Sequence, residues 1–140
     1  MLSNLVLIIL IASTLAQYNH QSSTYLNTTW MSQLDNGIPL RKLTIIGSHS
    51  SMSTGAWGDA FQTQSNSLIA QMQMGMRALD IRCRHYNDQF PIYDRLAYLN
   101  TDLGAVLSTV TSFLQSYPME VILMHIVEEY NPSGNNRTFE

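Results

Sequence analysis

The sequence predicts an α/β fold with a mainly parallel sheet, and three stretches carry that prediction. Residues 121–127 form a near-continuous apolar run, as expected of a strand covered on both faces. Residues 101–117 place Leu103, Val106, Leu107, Val110, Phe113 and Leu114 on one face of a helix. Residues 77–84 alternate strictly, with Leu79, Ile81 and Cys83 pointing one way and Asp80, Arg82 and Arg84 the other. With their neighbours in chain order, the elements read strand, helix, strand, strand, helix, strand, the alternation that builds parallel sheets.

From the N-terminus, residues 1–16 carry no charged side chain, and 5–12 is a continuous apolar run. That length suits a signal-peptide core and is too short to span a bilayer. Thr14 and Ala16 supply small residues for cleavage after position 16, so the chain is expected to be secreted. Two glycosylation triplets, at Asn27 and Asn136, are compatible with that route. Residues 17–29 form a polar lead-in. Trp30, Met31 and Leu34 are the first apolar anchors, expected in a short helical turn across the bottom of the domain. The turn signal Asp35-Asn36-Gly37 and Pro39 precede an apolar run at 43–46, which reads as a buried strand. Strand alternation puts Leu43, Ile45 and Gly47 on one face, and His49 continues it beyond the glycine. A titratable ring at the C-terminal end of a buried strand stands where α/β folds place their chemistry.

A loop of Ser, Gly, Gln, Thr and Asn follows over 50–67. Leu68, Met72 and Met76 recur every fourth residue, a helical stripe read as core, and Gly75 suits its end. The alternating strand comes next, then a short third strand at 91–94. Thr101 is placed to cap the second helix and Pro118 follows its end. The 140 residues suffice for one modest domain. The single cysteine, Cys83, excludes an internal disulfide and reads as a buried thiol, and the net charge of −3 gives no support for nucleic-acid binding.

Seven short motifs occur in order: Trp30-Met31, Pro39-Leu40, Ile45-Ile46-Gly47-Ser48-His49, Gly75-Met76-Arg77, Leu79-Asp80-Ile81-Arg82, Ile92-Tyr93 and Pro118-Met119-Glu120-Val121-Ile122. The ordered set resembles the X domain of phosphatidylinositol-specific phospholipase C, in its small metal-independent branch. The resemblance covers residues 30–140. It implies a distorted TIM-type (β/α) barrel with its site at the C-terminal ends of the strands. Such barrels take about 250 residues, so what is implied here is an incomplete barrel, its first half, with about four mainly parallel strands.

The resemblance also implies roles. His49 matches the general base that takes the proton of the inositol 2-hydroxyl, Arg82 the arginine that steadies charge on the phosphate, and Asp80 the carboxylate that orients a second histidine. No metal or other cofactor is implied, because Arg82 stands in for calcium. Three positions depart from the pattern. Ser50 replaces an acid or amide, Asp94-Arg95 replaces the His-Gly pair that supplies the general acid, and Val127 replaces a lysine or glutamate. Glu128 is expected on the opposite face from Val127. An aspartate in water is ionised at neutral pH and holds no proton to donate. His85 and His125 are the nearby substitutes, with His125 expected as a core histidine of the last strand.

The first expectation is therefore a phosphoric diester hydrolase-like protein, weak or inactive, using His49, Asp80, Arg82 and Asp94. The second is a non-catalytic module holding inositol phosphate or a lipid headgroup through Arg82, Arg84 and His49. Both imply phosphatidylinositol or a related phosphodiester lipid at a membrane surface touched transiently. Self-association is expected through sheet edges at 43–46 and 121–127.

Overall fold

The computed structural model describes residues 25–139 except 56 and 59. The predicted signal peptide and residues 17–24 of the lead-in lie outside the described residues. In chain order the elements are β1 (Gly47–Ser48), α1 (Leu68–Gln73), β2 (Ala78–Cys83), β3 (Pro91–Asp94), β4 (Ala97–Asp102), α2 (Leu103–Ser116) and β5 (Leu123–Glu128), with short 3-10 turns at Met31–Gln33 and Leu40–Lys42.

β2 is the centre of the sheet. β5 runs parallel to it in unbroken register, from Ala78 opposite Leu123 to Cys83 opposite Glu128. β1 lies parallel on the other side, Gly47 opposite Ala78, and β3 joins the end of β2 antiparallel through Cys83 and Ile92. β4 folds back on β3 as an antiparallel hairpin. The sheet is thus a mixed, curled half-barrel, an incomplete α/β barrel. Its parallel part is β1, β2 and β5; the hairpin is the antiparallel addition.

One face of β2 builds the core. Leu79, Ile81 and Cys83 meet Ile92, Leu68 and Met72 of α1, and Val106, Val110 and Phe113 of α2. The predicted alternation therefore holds, and Cys83 is a buried free thiol. Truncating a residue such as Phe113, 2 % exposed, removes contacts worth about 3–5 kcal/mol.

Several elements differ from expectation for identifiable reasons. The apolar run at 43–46 forms no ladder; pairing begins only at Gly47, where a Cβ would lie 2.8 Å from the Ala78 carbonyl oxygen. Ile46 contributes through its own carbonyl, which accepts the N–H groups of Arg77 and Ala78. β4 is a fifth strand that no sequence signal marked, because Arg95 takes the left-handed conformation at its turn without a glycine and Asn100 does so within the strand (φ 53° and 55°). α2 is capped by Asp102 rather than Thr101, its carboxylate accepting the Ala105 N–H at 2.9 Å. α1 stops at Gln73 and Gly75 reverses the chain at φ +105°, so Met76 falls outside the helical stripe. β5 is covered on one face only in part and open on the other, with Leu123 38 % and Ile126 40 % exposed.

At the bottom of the sheet Arg77 is wholly buried. Its guanidinium donates twice to one Glu120 oxygen, at 2.9 and 2.7 Å, and to the carbonyls of Met72, Met76 and Thr28. Glu120 in turn accepts the N–H groups of Met31 and Ser32, and Trp30 donates its indole N–H to the Gly75 carbonyl. This pair fastens the incoming chain under the sheet. Among the described residues no helix is long and apolar enough to cross a membrane.

Candidate active site

The parallel register of β2 and β5 decides what lies on the concave face. Asp80 stands beside His125 and Arg82 beside Val127, all turned away from the helices. The loop after β1 then returns over the end of β2 and is bonded to it twice. The Ser51 N–H donates to the Asp80 carbonyl, and the Asp80 N–H donates to the Ser51 hydroxyl. Ser50 adopts a left-handed conformation (φ 42°), which aims its N–H at the Asp80 carboxylate, 3.0 Å away. From behind, the His49 carbonyl accepts bonds from Thr63 Oγ1 and Gln64 Nε2. His49 is thereby held by its backbone while its ring stays 67 % exposed.

The Asp80 carboxylate gathers the charged groups. Its Oδ2 lies 3.1 Å from His49 Nδ1 and accepts Arg82 Nε at 3.1 Å, and its Oδ1 lies 3.5 Å from His125 Nδ1. Arg82 is bridged onward, its Nη1 donating to Glu129 at 3.1 Å. Burial works to raise the Asp80 carboxyl, but the Ser50 N–H, Arg82 and His49 outweigh it and hold it below the usual carboxylate range. Burial likewise works against the Arg82 charge, and Asp80, Glu129 and Asp94 overcome it, so Arg82 is held above its usual value. An open pocket of about 480 Å³, lined by Gly47, Ser48, His49, Asp80, Leu123 and His125 among others, fronts the cluster. Two imidazoles, a carboxylate and a guanidinium beside an open pocket can bind a phosphate and move protons around it.

Residues 36–140 match the phosphatidylinositol-specific phospholipase C X domain. The chain belongs to that family. It is 38 % identical to a 1-phosphatidylinositol phosphodiesterase of Listeria monocytogenes, over 76 % of this chain and 34 % of that enzyme. It is 33 % identical to the Staphylococcus aureus enzyme of the same name, over 79 % of this chain and 38 % of the enzyme. Among solved structures, a Staphylococcus aureus phosphatidylinositol-specific phospholipase C studied for its membrane binding superposes with a TM-score of 0.75 at 33 % identity, covering 82 % of this chain and 40 % of that one. The Listeria enzyme gives a TM-score of 0.67 at 34 % identity, covering 77 % and 40 %. The chain thus spans roughly a third to two fifths of the length of the relatives it matches.

Within this X domain the structure brings His49, Asp80 and Arg82 together, buries Asp94 near enough for its charge to act on Arg82, and engages Arg84 elsewhere. Asp94 ends β3 on the parity of Ile92, the partner of core residue Cys83, and its charge still acts on Arg82. It is 3 % exposed, within 2.8 Å of the Ser53 hydroxyl and 3.8 Å from Arg95 Nε. Arg84 keeps the face of Arg82, but its guanidinium sits over the rings of Tyr86, Tyr93 and Tyr130 and donates to the Asn131 carbonyl.

Glu129 escaped the sequence reading, and His125 entered it only as a substitute. Glu129 follows the parity of Val127 and reaches Arg82; alternation alone could have found it. His125, expected in the core, has a side chain 79 % exposed on the concave face. The apolar run around it masks this, because one side of that run lies open. His85 is 2 % exposed, stacked on Phe90 and edge-on to Phe139, away from the cluster. Among the described residues no three His, Cys, Asp or Glu side chains are grouped to hold a metal ion.

Proposed function

We propose that the chain is a slow phosphoric diester hydrolase acting on phosphatidylinositol or a related phosphodiester lipid. The observation that carries this reading is the contact of His49 Nδ1 with Asp80 at 3.1 Å, on a carboxylate that also holds Arg82, beside an open pocket. With Nδ1 engaged, the exposed Nε2 of His49 is the basic nitrogen. It takes the proton of the inositol 2-hydroxyl, whose oxygen attacks phosphorus, while Arg82 draws charge from the non-bridging oxygens. Arg82 is shared between Asp80 and Glu129, and Val127 adds no cation, so less positive charge is left for the phosphate. That supports slow rather than fast turnover.

The enzymes it resembles are phosphatidylinositol phosphodiesterases, which supports a lipid substrate met transiently at a membrane surface and, with the apolar 5–12 run, an extracellular setting. Phosphorus NMR of phosphatidylinositol dispersions incubated with the chain tests the reading. A cyclic inositol phosphate should accumulate, and His49→Ala should abolish it. The burial of Asp94, bonded to the Ser53 hydroxyl, favours a second reading, a non-catalytic inositol phosphate site. Calorimetric binding of inositol 1-phosphate with no cyclic product would establish that one instead.

A further inference from the structure

We propose that His125 is the second proton-transfer group of this site, the donor to the departing alcohol, working opposite His49 across Asp80. The inference rests on the phosphodiesterase reading above. Cleaving an alkyl phosphodiester by internal attack needs a base at the attacking hydroxyl and an acid at the leaving oxygen. The base alone leaves an unprotonated alkoxide. Asp94 is buried and taken up by the Ser53 hydroxyl, and His85 is buried among aromatic rings.

His125 meets the requirements that both fail. The β2–β5 register fixes it beside Asp80. It turns Nδ1 to the Asp80 carboxylate as His49 does, but to the other oxygen, Oδ1 at 3.5 Å against Oδ2 at 3.1 Å. That Oδ1 is buried and accepts no hydrogen bond among the described residues, so the acceptor position beside His125 is open. Contacts of this kind are often long in an empty site and tighten around the substrate. Each ring, anchored at Nδ1, leaves Nε2 on its far side, and both side chains are largely exposed at the same pocket. One carboxylate thus carries two imidazoles.

In the reaction the inositol 2-oxygen forms its bond to phosphorus as its proton passes to His49 Nε2. The bond from phosphorus to the diacylglycerol oxygen breaks as that oxygen takes the proton from His125 Nε2. One proton is gained and one lost, and solvent restores both rings.

The test compares two substrates on the full 140-residue chain: phosphatidylinositol, whose alkoxide needs a proton, and 4-nitrophenyl inositol 1-phosphate, whose phenolate does not. His125→Ala should lose about 10²–10⁴-fold on the lipid yet stay within about tenfold on the nitrophenyl ester. His49→Ala should lose both, and the alkaline limb of the lipid pH profile, where the donor has lost its proton, should vanish in His125→Ala. Equal losses on both esters would make His125 a positioning or structural residue and overturn the assignment. So would a lipid-selective loss in Asp94→Asn with His125→Ala unimpaired. No cleavage of either ester by the unaltered chain would instead overturn the phosphodiesterase reading itself, and this assignment with it.

Discussion

Asp80 gathers the charged groups of the candidate site at one side chain. Its Oδ2 alone accepts the Ser50 N–H and Arg82 Nε and lies against His49. Asp80→Asn should therefore lower turnover by roughly the 10²–10⁴-fold of a proton-transfer group, read as kcat/KM on phosphatidylinositol. It should also change the response to acid. The folded-state pKa lies below the ordinary value of 3.8, so the stabilisation is present above that value and fades as pH falls through the lower one. Urea unfolding below about pH 4 should show this loss in the natural chain and lack it in Asp80→Asn. At this scale the sequence was readable where one strand carries the information. Asp80 and Arg82 follow from alternation, and His49 from its place past a strand end. The open position of His125 beside Asp80 was not readable, because it depends on the register between β2 and β5, which no single segment encodes.

Among the elements, the helices and β2 were legible because their periodicities are strong, whereas the β3–β4 hairpin has none. Its turn rests on Arg95 in a left-handed conformation rather than on a glycine, and its second strand has only Ala97 and Leu99 as inward apolar residues. Asp102 ends that strand and caps α2, so its loss acts on both. Asp102→Ala should destabilise by about 1 kcal/mol in thermal or urea melts, the usual cost of a lost N-cap, and Thr101→Ala by less. The Arg77–Glu120 pair joins more elements than any cap, tying α1, the start of β2, the segment after α2 and the lead-in. Both side chains are at most 1 % exposed. Removing one partner, as in Glu120→Leu, should cost about 3–5 kcal/mol by stranding a buried charge, and Arg77→Met in the same chain should recover much of it. Matched urea titrations of the single and double variants would check this.

For the whole molecule, the curled sheet carries its chemistry and its liabilities on the same side. The outer edge of β5 is unpaired among the described residues, and Ile46, Val121, Leu123 and Ile126 are exposed near the two edges. Unpaired, apolar strand edges are templates for association. The 140-residue chain should therefore sediment as a dimer or larger species at micromolar concentration, and a lysine at Leu123 or Ile126 should shift it toward monomer. A monodisperse monomer at all concentrations would count against the expectation. The barrel-like architecture was legible from the order of the motifs, but its mixed pairing was not, since alternation of strands and helices does not announce a hairpin.

Cys83 gives this architecture a clock. Its sulfur is wholly buried in the core, and burial pushes the thiol up to about 11, while its carbonyl accepts the Glu129 N–H that follows β5. Since only the thiolate attacks an alkylating reagent, labelling near about pH 8 must wait for the sheet and α2 to part. The rate at which iodoacetamide consumes this one sulfur then counts openings of the core, with no probe added. Labelling as slow as global unfolding would mean that β2 and β5 open only when everything does. Faster labelling would reveal a breathing motion running directly beneath the Asp80 carboxylate.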